Sequence, residues 1–183
     1  MSVSLLRNLQ WRRAVKGFKG GKVDLKPILE AVQLAPSSMG VQPYFVHVVS
    51  CADARSKLKK ATFEQPQVQE CEHLLVFSAR DDASNSVEDC CRLLELPDVA
   101  ATPMREILSP LDKTTFQSFA ANQAHIALGF ALAAAADTKT PCCPMGGFDP
   151  TLLKKELSLP ENETPVVIMA VGGGEQEEPP FEK

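Results

Sequence analysis

The stretch APSSMGVQPY, residues 35–44, separates a helical pattern from a strand pattern near the start of the chain. Before it, apolar residues recur at the three- and four-residue spacing of an amphipathic helix: Leu25, Ile28, Leu29 and Val32. After it, residues 44–49 (YFVHVV) have the β-branched and aromatic composition of a strand. Pro36 disfavours the helical conformation for the residue that precedes it, so the helix is expected to end there. The stretch is therefore predicted to be a loop between a helix and a buried strand.

The polar groups of this loop suit an uncharged ligand. Ser37 and Ser38 carry hydroxyls, Gln42 carries an amide, and Gly40 allows another group to approach the backbone closely. Such groups match the polar edge of a flat heterocycle. They are equally typical of an ordinary helix-to-strand connection, so the loop by itself does not decide between the two.

Two more strands and several helices are predicted around this loop. Residues 73–79 and 165–171 are the other strong strand patterns, and about six helices surround the three strands. This content indicates an α/β or α+β protein with one sheet covered by helices. Helices are predicted over residues 2–10, 24–35, 51–61, from a cap at Ser84 or Ser86 to 96, 114–137 and 149–157. Residues 63–70 are predicted to be a loop, 97–112 a short helix between turns, and 140–148 a turn.

The helix predicted from a cap at Thr114 or Thr115 is the longest. Beyond Ile126 it is apolar on every side, which is typical of a helix buried in a core or between subunits. Its polar exceptions, expected to be buried and hydrogen-bonded, are Asn122, Gln123 and His125. In the first helix, the apolar side chains expected to face inward are Leu5, Leu6 and Leu9.

The composition favours one soluble domain, residues 1–183, with an exposed acidic tail at 175–183. The net charge of −4 argues against nucleic-acid binding. The longest apolar stretch, residues 126–136, is about half of the roughly 20 residues that a membrane span needs. The six cysteines include two vicinal pairs, which suit free thiols in a reducing compartment better than disulfides. A cytoplasmic location is expected.

The first 23 residues contain six basic residues and no acid. Arg12, Arg13 and Lys16 lie close together, and guanidinium and ammonium groups bind phosphates well. An anion site, a solvated basic surface and an organellar transit peptide are all consistent with this composition.

Two glycine-rich segments lie near the end of the chain. Residues 172–174 follow a strand, but no helix pattern comes after them, so they are not a dinucleotide-binding loop. Residues 144–147 (PMGG) present backbone N–H groups that a ligand can approach closely. His47, His73 and His125 lack the spacing of metal ligands.

Residues 12–18, 36–44 and 144–149 together resemble the nitroreductase family of flavoenzymes. Its members often begin with Arg-x-Ser-x-Lys/Arg-x-Phe and continue with Pro-Ser-Ser-x-x-x-Gln-Pro-Trp/Tyr. A Pro-x-x-Gly-Phe-Asp turn precedes their last helix and strand. The three matches occur in the family's order along the chain.

The resemblance implies an α+β, nitroreductase-like fold, with a central, mainly antiparallel sheet covered by helices, in an intertwined homodimer that binds FMN between subunits. NADH or NADPH would donate electrons, and a nitroaromatic, quinone or similar small molecule would accept them in a ping-pong cycle. No catalytic side chain is implied, because the cofactor carries the chemistry. The implied cofactor-binding residues are Arg12, Arg13, Ala14, Lys16, Pro36, Ser37, Ser38, Gly40, Gln42, Gln67, Pro144, Met145, Gly146 and Gly147.

Each segment has an implied role. Arg12 and Arg13 would hold the FMN phosphate, and Lys16 would lie beside flavin N1 and the C2 carbonyl. The 36–42 loop would come from the other subunit, and residues 144–147 would lie along the flavin face with a backbone N–H directed at N5. If the basic segment binds FMN, it is not a cleaved transit peptide.

Several departures from the family pattern leave an alternative open. Ala14 replaces a serine, Gly40 an asparagine and Gly146 a glutamate, and Glu64 places an acid where some members bind flavin. The basic pair with which many members end is absent, and Lys183 is a poor substitute. A dimeric scaffold without turnover is therefore a second hypothesis. Thiol chemistry at residues 142–143 is a third, against the simpler interpretation of two small apolar residues in a turn.

Overall fold

The computed structural model of the protein describes residues 3–174, so the predicted acidic tail lies outside the described residues. Eight α-helices, one 3₁₀-helix (Ser38–Gly40) and four strands are present within that range. The helices are α1 (Val3–Trp11), α2 (Lys26–Gln33), α3 (Ala52–Lys57), α4 (Pro66–Glu70), α5 (Ala83–Leu93), α6 (Asp98–Leu108), α7 (Lys113–Asp137) and α8 (Pro150–Glu156). The strands are β1 (Tyr44–Val49), β2 (His73–Arg80), β3 (Cys142–Met145) and β4 (Glu163–Val171).

The four strands form one sheet in the order β1-β2-β4-β3, and every neighbouring pair is antiparallel. The central strand β2 is almost wholly buried, as expected for its apolar sequence. Helices cover both faces, so the predicted α+β architecture with a mainly antiparallel sheet is confirmed.

The side chains of the sheet alternate between two cores. On one face, Leu75, Phe77 and Met169 pack with residues of α2 and α7. On the other face, Val76 and Ile168 pack with residues of α3, α4 and α8 and with part of the 12–18 segment. A third cluster joins α5 and α6 to the start of α7. The sheet therefore separates the α2–α7 core from the core that contains the N-terminal basic segment.

Two elements differ from the sequence prediction. The predicted 140–148 turn contains the edge strand β3, because Pro144 lies at the edge of the sheet, where a missing backbone donor is tolerated. The predicted 63–70 loop contains α4, because Pro66 occupies its first turn, where proline is tolerated. Both errors arise from treating proline as a breaker without regard to its position.

Two helix starts also differ from the prediction. Asp82, and not Ser84 or Ser86, caps α5 by accepting a hydrogen bond from the Asn85 N–H. Asp112 caps α7 by accepting from the backbone N–H groups of the two threonines that were predicted to cap it. An aspartate carboxylate is as good a cap as a hydroxyl and adds a favourable charge at the helix N-terminus.

We expect the Asp112 cap to make the stability of the protein fall in acid. Hydrogen bonds from Thr115 and Thr114 lower the pKa of Asp112 from its usual 3.8. A carboxylate with a depressed folded-state pKa stabilises the fold above its unfolded pKa, and this contribution is lost as the pH falls through the folded pKa. Asp112→Asn keeps a capping oxygen without the titration, so its melting temperature should fall less than that of wild type below pH 4. Equal acid sensitivity of the two proteins would contradict this.

The predicted burial of α1 and α7 is only partly correct. Gln123 is buried and accepts a hydrogen bond from the Ser38 N–H, as expected. Asn122 and His125, predicted to be buried, are exposed in the single chain. The three leucines of α1, predicted to face inward, are exposed by 36–52%, since the helix covers α7 with only part of its surface.

Helix α7 is long and apolar enough to cross a membrane by length and composition alone, and is the one such helix between residues 3 and 174. It packs against α2 and β2, as the core helix of a soluble protein does. Ile126 and Phe130 remain 41% and 40% exposed on its outer face.

Candidate functional site

The basic segment, residues 12–19, is attached to the edge strand β3. Ala14 forms a parallel bridge with Cys142, and the Val15 N–H donates to the Cys142 carbonyl at 3.0 Å. Val15 and Phe18 are buried, while Lys16 between them is exposed. Two buried apolar side chains thus anchor the segment, and Lys16 lies exposed between them.

Arg12 has an unused hydrogen-bonding group. Its Nη1 atom is buried and has no hydrogen-bond partner among the described residues. Arg13, by contrast, donates to the backbone carbonyls of Arg12 and Gln10. Because a buried, unsatisfied guanidinium nitrogen is costly, the position of Arg12 Nη1 favours an anionic ligand there.

The residues after β3 meet α4. Gln65 Nε2 donates to the Gly147 carbonyl at 2.6 Å, and Gln67 Nε2 donates to Gln65 Oε1 at 3.0 Å. Gln67 is buried, so this chain of amides fixes the segment 144–147 against α4. A Cβ atom added to Gly146 would meet no described atom within 4 Å, so the backbone there is open to a ligand.

Gln65 was not identified from the sequence, because its role depends on a tertiary contact with Gly147 that no local pattern indicates. Gln67, which the resemblance implied for cofactor binding, is linked to the segment 144–147 through Gln65, and its binding role stays a prediction. Glu64, which the resemblance made an unfavourable acid, forms an ion pair with Lys59 at 2.9 Å. Its charge is therefore partly compensated.

The loop of residues 36–42 lies on the other face of the sheet, where its own hydrogen bonds and Gln123 of α7 hold it. The Gln42 side chain donates to the carbonyls of Gln33 and Ala35, and the Gln42 N–H donates to Ser37 Oγ at 2.9 Å. The Ser38 N–H is bound by Gln123 of α7. Gln42 thus links the two ends of the loop by hydrogen bonds. Its side-chain N–H groups donate within the chain and are not available to a heterocycle.

The structure therefore brings together two of the three predicted segments and leaves the third apart. Residues 12–16 and 144–147 meet at β3. The 36–42 loop connects the α2–α7 core, at Ala35, with the third cluster, at Val41. Pro36, Ser38 and Gly40 are exposed.

A close crossing of backbones holds the end of the basic segment. The Lys19 N–H donates to the Gly173 carbonyl at 3.3 Å. A Cβ atom on Gly173 would lie 2.3 Å from the Gly20 carbonyl oxygen and 2.7 Å from that of Gly21. The glycine run at 172–174 thus serves chain packing, in agreement with the rejection of a dinucleotide loop.

No group of three His, Cys, Asp or Glu side chains suited to a metal ion occurs between residues 3 and 174. The candidate site is instead a set of cations, open glycine backbone and amides. It suits a molecule that combines an anionic group with a flat polar portion.

Comparison with known proteins gives a family for this arrangement. The sequence model of the Nitroreductase family matches residues 9–173. A Staphylococcus saprophyticus protein, provisionally named an NAD(P)H nitroreductase, is 29% identical over 166 residues, which cover 81% of this chain and 76% of that protein.

Solved structures show the same fold. A Bacillus subtilis protein, provisionally named a nitroreductase, superposes with a TM-score of 0.88 at 21% identity, covering 100% of this chain and 96% of its own. A similarly named protein from Exiguobacterium sibiricum, solved in complex with FMN, has a TM-score of 0.80 at 16% identity, covering 98% and 91%.

Proposed function

Since this chain belongs to the nitroreductase family, we propose that it is an FMN-dependent oxidoreductase that takes electrons from NADH or NADPH. The names of relatives support the donor, and the FMN complex of one structural neighbour supports the cofactor. The observation that carries the proposal is the unpartnered, buried Nη1 of Arg12, on a segment that is bridged to the strand leading into the open backbone at Gly146.

The described residues fit FMN. Arg12 offers its free donor to the phosphate, and Arg13 adds a second positive charge. Lys16 is exposed on the same segment and provides a cation for the pyrimidine edge of the flavin. Gly146 and Gly147 offer backbone N–H groups without side chains that would block the ring.

Bound FMN would supply the redox chemistry, accepting a hydride at N5 from NADH or NADPH and then passing electrons to an acceptor in a ping-pong cycle. The protein's part is electrostatic. The Lys16 ammonium favours the negative charge that reduction places on the ring. The Gly146 and Gly147 segment keeps one face accessible, which suits flat acceptors such as nitroaromatics and quinones.

The site is completed by a second copy of the chain. Pro36, Ser38 and Gly40 are exposed on the far side of the sheet from Lys16, so they serve the site of a partner subunit. The exposed apolar side chains of α1 and the outer face of α7 provide a surface for that contact. The functional form that we propose is therefore a homodimer in the cytoplasm.

Purification tests the proposal directly. The protein should be yellow, or become so when FMN is added, with one FMN per chain by absorbance after denaturation. NADH or NADPH should bleach the flavin bands under anaerobic conditions, and a quinone should restore them. A colourless protein that gains no flavin absorbance on addition of FMN would refute the proposal. A flavoprotein that neither nucleotide bleaches would favour the scaffold hypothesis.

A further inference from the structure

The thiol of Cys143 connects the two halves of the candidate site. Lys16 Nζ donates to Cys143 Sγ at 3.8 Å, and the Cys143 thiol in turn lies 3.8 Å from the Pro144 carbonyl oxygen, to which it donates. The thiol therefore lies between the cation of the basic segment and the first residue of the 144–147 segment. It is fully buried, whereas the Lys16 residue is exposed.

The vicinal partner is oriented differently. Successive residues of a strand point to opposite faces, so Cys142 packs in the α2–α7 core and Cys143 packs in the core beneath the basic segment. The difference rules out a simple redox pair, since a strand keeps adjacent thiols apart. It gives Cys143 alone the contact with Lys16.

We propose that Cys143 is a positioning residue that holds the Lys16 ammonium at the flavin site without neutralising it. This inference rests on the proposed function. A carboxylate in the same place would also hold Lys16, but would cancel the charge that stabilises reduced flavin. A neutral thiol accepts the hydrogen bond and leaves the charge available.

The environment keeps the thiol neutral. Burial raises the pKa of Cys143, and the opposing effects of Lys16 and Arg12 do not reverse that direction. The thiol is therefore protonated at neutral pH, in agreement with its role as a donor to Pro144. The thiol chemistry considered from the sequence needs a thiolate, so the structure favours a positioning role instead.

The test is the midpoint potential of the bound FMN in Cys143→Val. The valine side chain is similar in volume to that of cysteine but offers no acceptor for the Lys16 ammonium. The affinity for reduced FMN relative to oxidised FMN should fall about tenfold, which lowers the two-electron potential by about 30 mV. Cys143→Ser keeps an acceptor and should retain the wild-type potential. An unchanged potential in Cys143→Val, or an equal fall in Cys143→Ser, would overturn the inference.

Cys71→Val is the matched control, because Cys71 is buried in the same core and its thiol donates to the Val68 carbonyl. Its potential should equal that of wild type, and a fall equal to that of Cys143→Val would show a packing effect and overturn the inference.

Competitive acetylation of Lys16 in flavin-free protein, followed by mass spectrometry, provides a readout without FMN. Lys16 should react faster in Cys143→Val than in wild type, and equal rates would overturn the proposed contact. If the wild-type protein binds no FMN, while Lys16 still reacts faster in Cys143→Val than in wild type, the proposed function is refuted instead.

Discussion

Replacing Arg12 with alanine should weaken FMN binding by about 10- to 100-fold, the range expected for one hydrogen bond to a charged group. Arg12 Nη1 has a buried position and no partner among residues 3–174, so the phosphate would be its acceptor. Removing the guanidinium also removes a buried, unsatisfied nitrogen. The flavin-free variant should therefore lose at most the contact of the guanidinium with the Cys142 thiol, and the main loss should appear in the FMN dissociation constant.

Quenching of FMN fluorescence during titration with the flavin-free protein gives this dissociation constant, and thermal melting gives the stability. Arg7→Ala is a suitable control, since Arg7 is an exposed basic residue of α1 and removes the same charge. It should leave the affinity within about twofold, because exposed charges at a distance are screened. If both variants lose affinity equally, general charge attraction and not Arg12 binds the phosphate.

Replacing Gly173 with valine should lower the free energy of unfolding by about 3 kcal/mol, the upper part of the range for overpacking. The new Cβ would lie within 2.7 Å of two backbone carbonyl oxygens, those of Gly20 and Gly21. Backbone atoms cannot rotate away as a flexible side chain can. The crossing must therefore open, which also releases the hydrogen bond from the Lys19 N–H to Gly173.

Urea denaturation followed by circular dichroism measures this change. Gly17→Ala is the control in the same segment, because its Cβ would meet only Glu70 Oε2, at an ordinary contact distance of 3.6 Å. Its stability should stay within about 0.5 kcal/mol of wild type, as for most surface substitutions. Wild-type stability in Gly173→Val would mean that the crossing can shift without cost.

The family and the fold class were predicted from the sequence, and both are confirmed. The three strong strands have the apolar runs that buried strands need, so local composition was sufficient for them. Strand β3 could not be predicted in this way, since its four residues include a proline and gain their pairing from β4 and from a bridge to Ala14, both distant in sequence. Helix α4 is similar, because its five residues depend on packing for their stability.

The candidate site was predictable in part. The Arg12–Lys16 segment and residues 144–147 were identified from their residue types, and the bridge between Ala14 and Cys142 attaches the first segment to the strand that leads into the second. Their binding roles stay predictions. The contacts of Gln65 and Cys143 join residues more than eighty positions apart, so no local pattern could indicate them.

The attachment of the basic segment has a consequence for the order of events during synthesis. Residues 12–19 leave the ribosome well before the strand and glycines that fix them, 142–143 and 172–173. Contacts between positions so far apart in sequence close late and slow the folding of a chain. The cations of the site are thus held in place only after residue 173 has been made, so a polypeptide interrupted before that point carries the basic segment without a binding site.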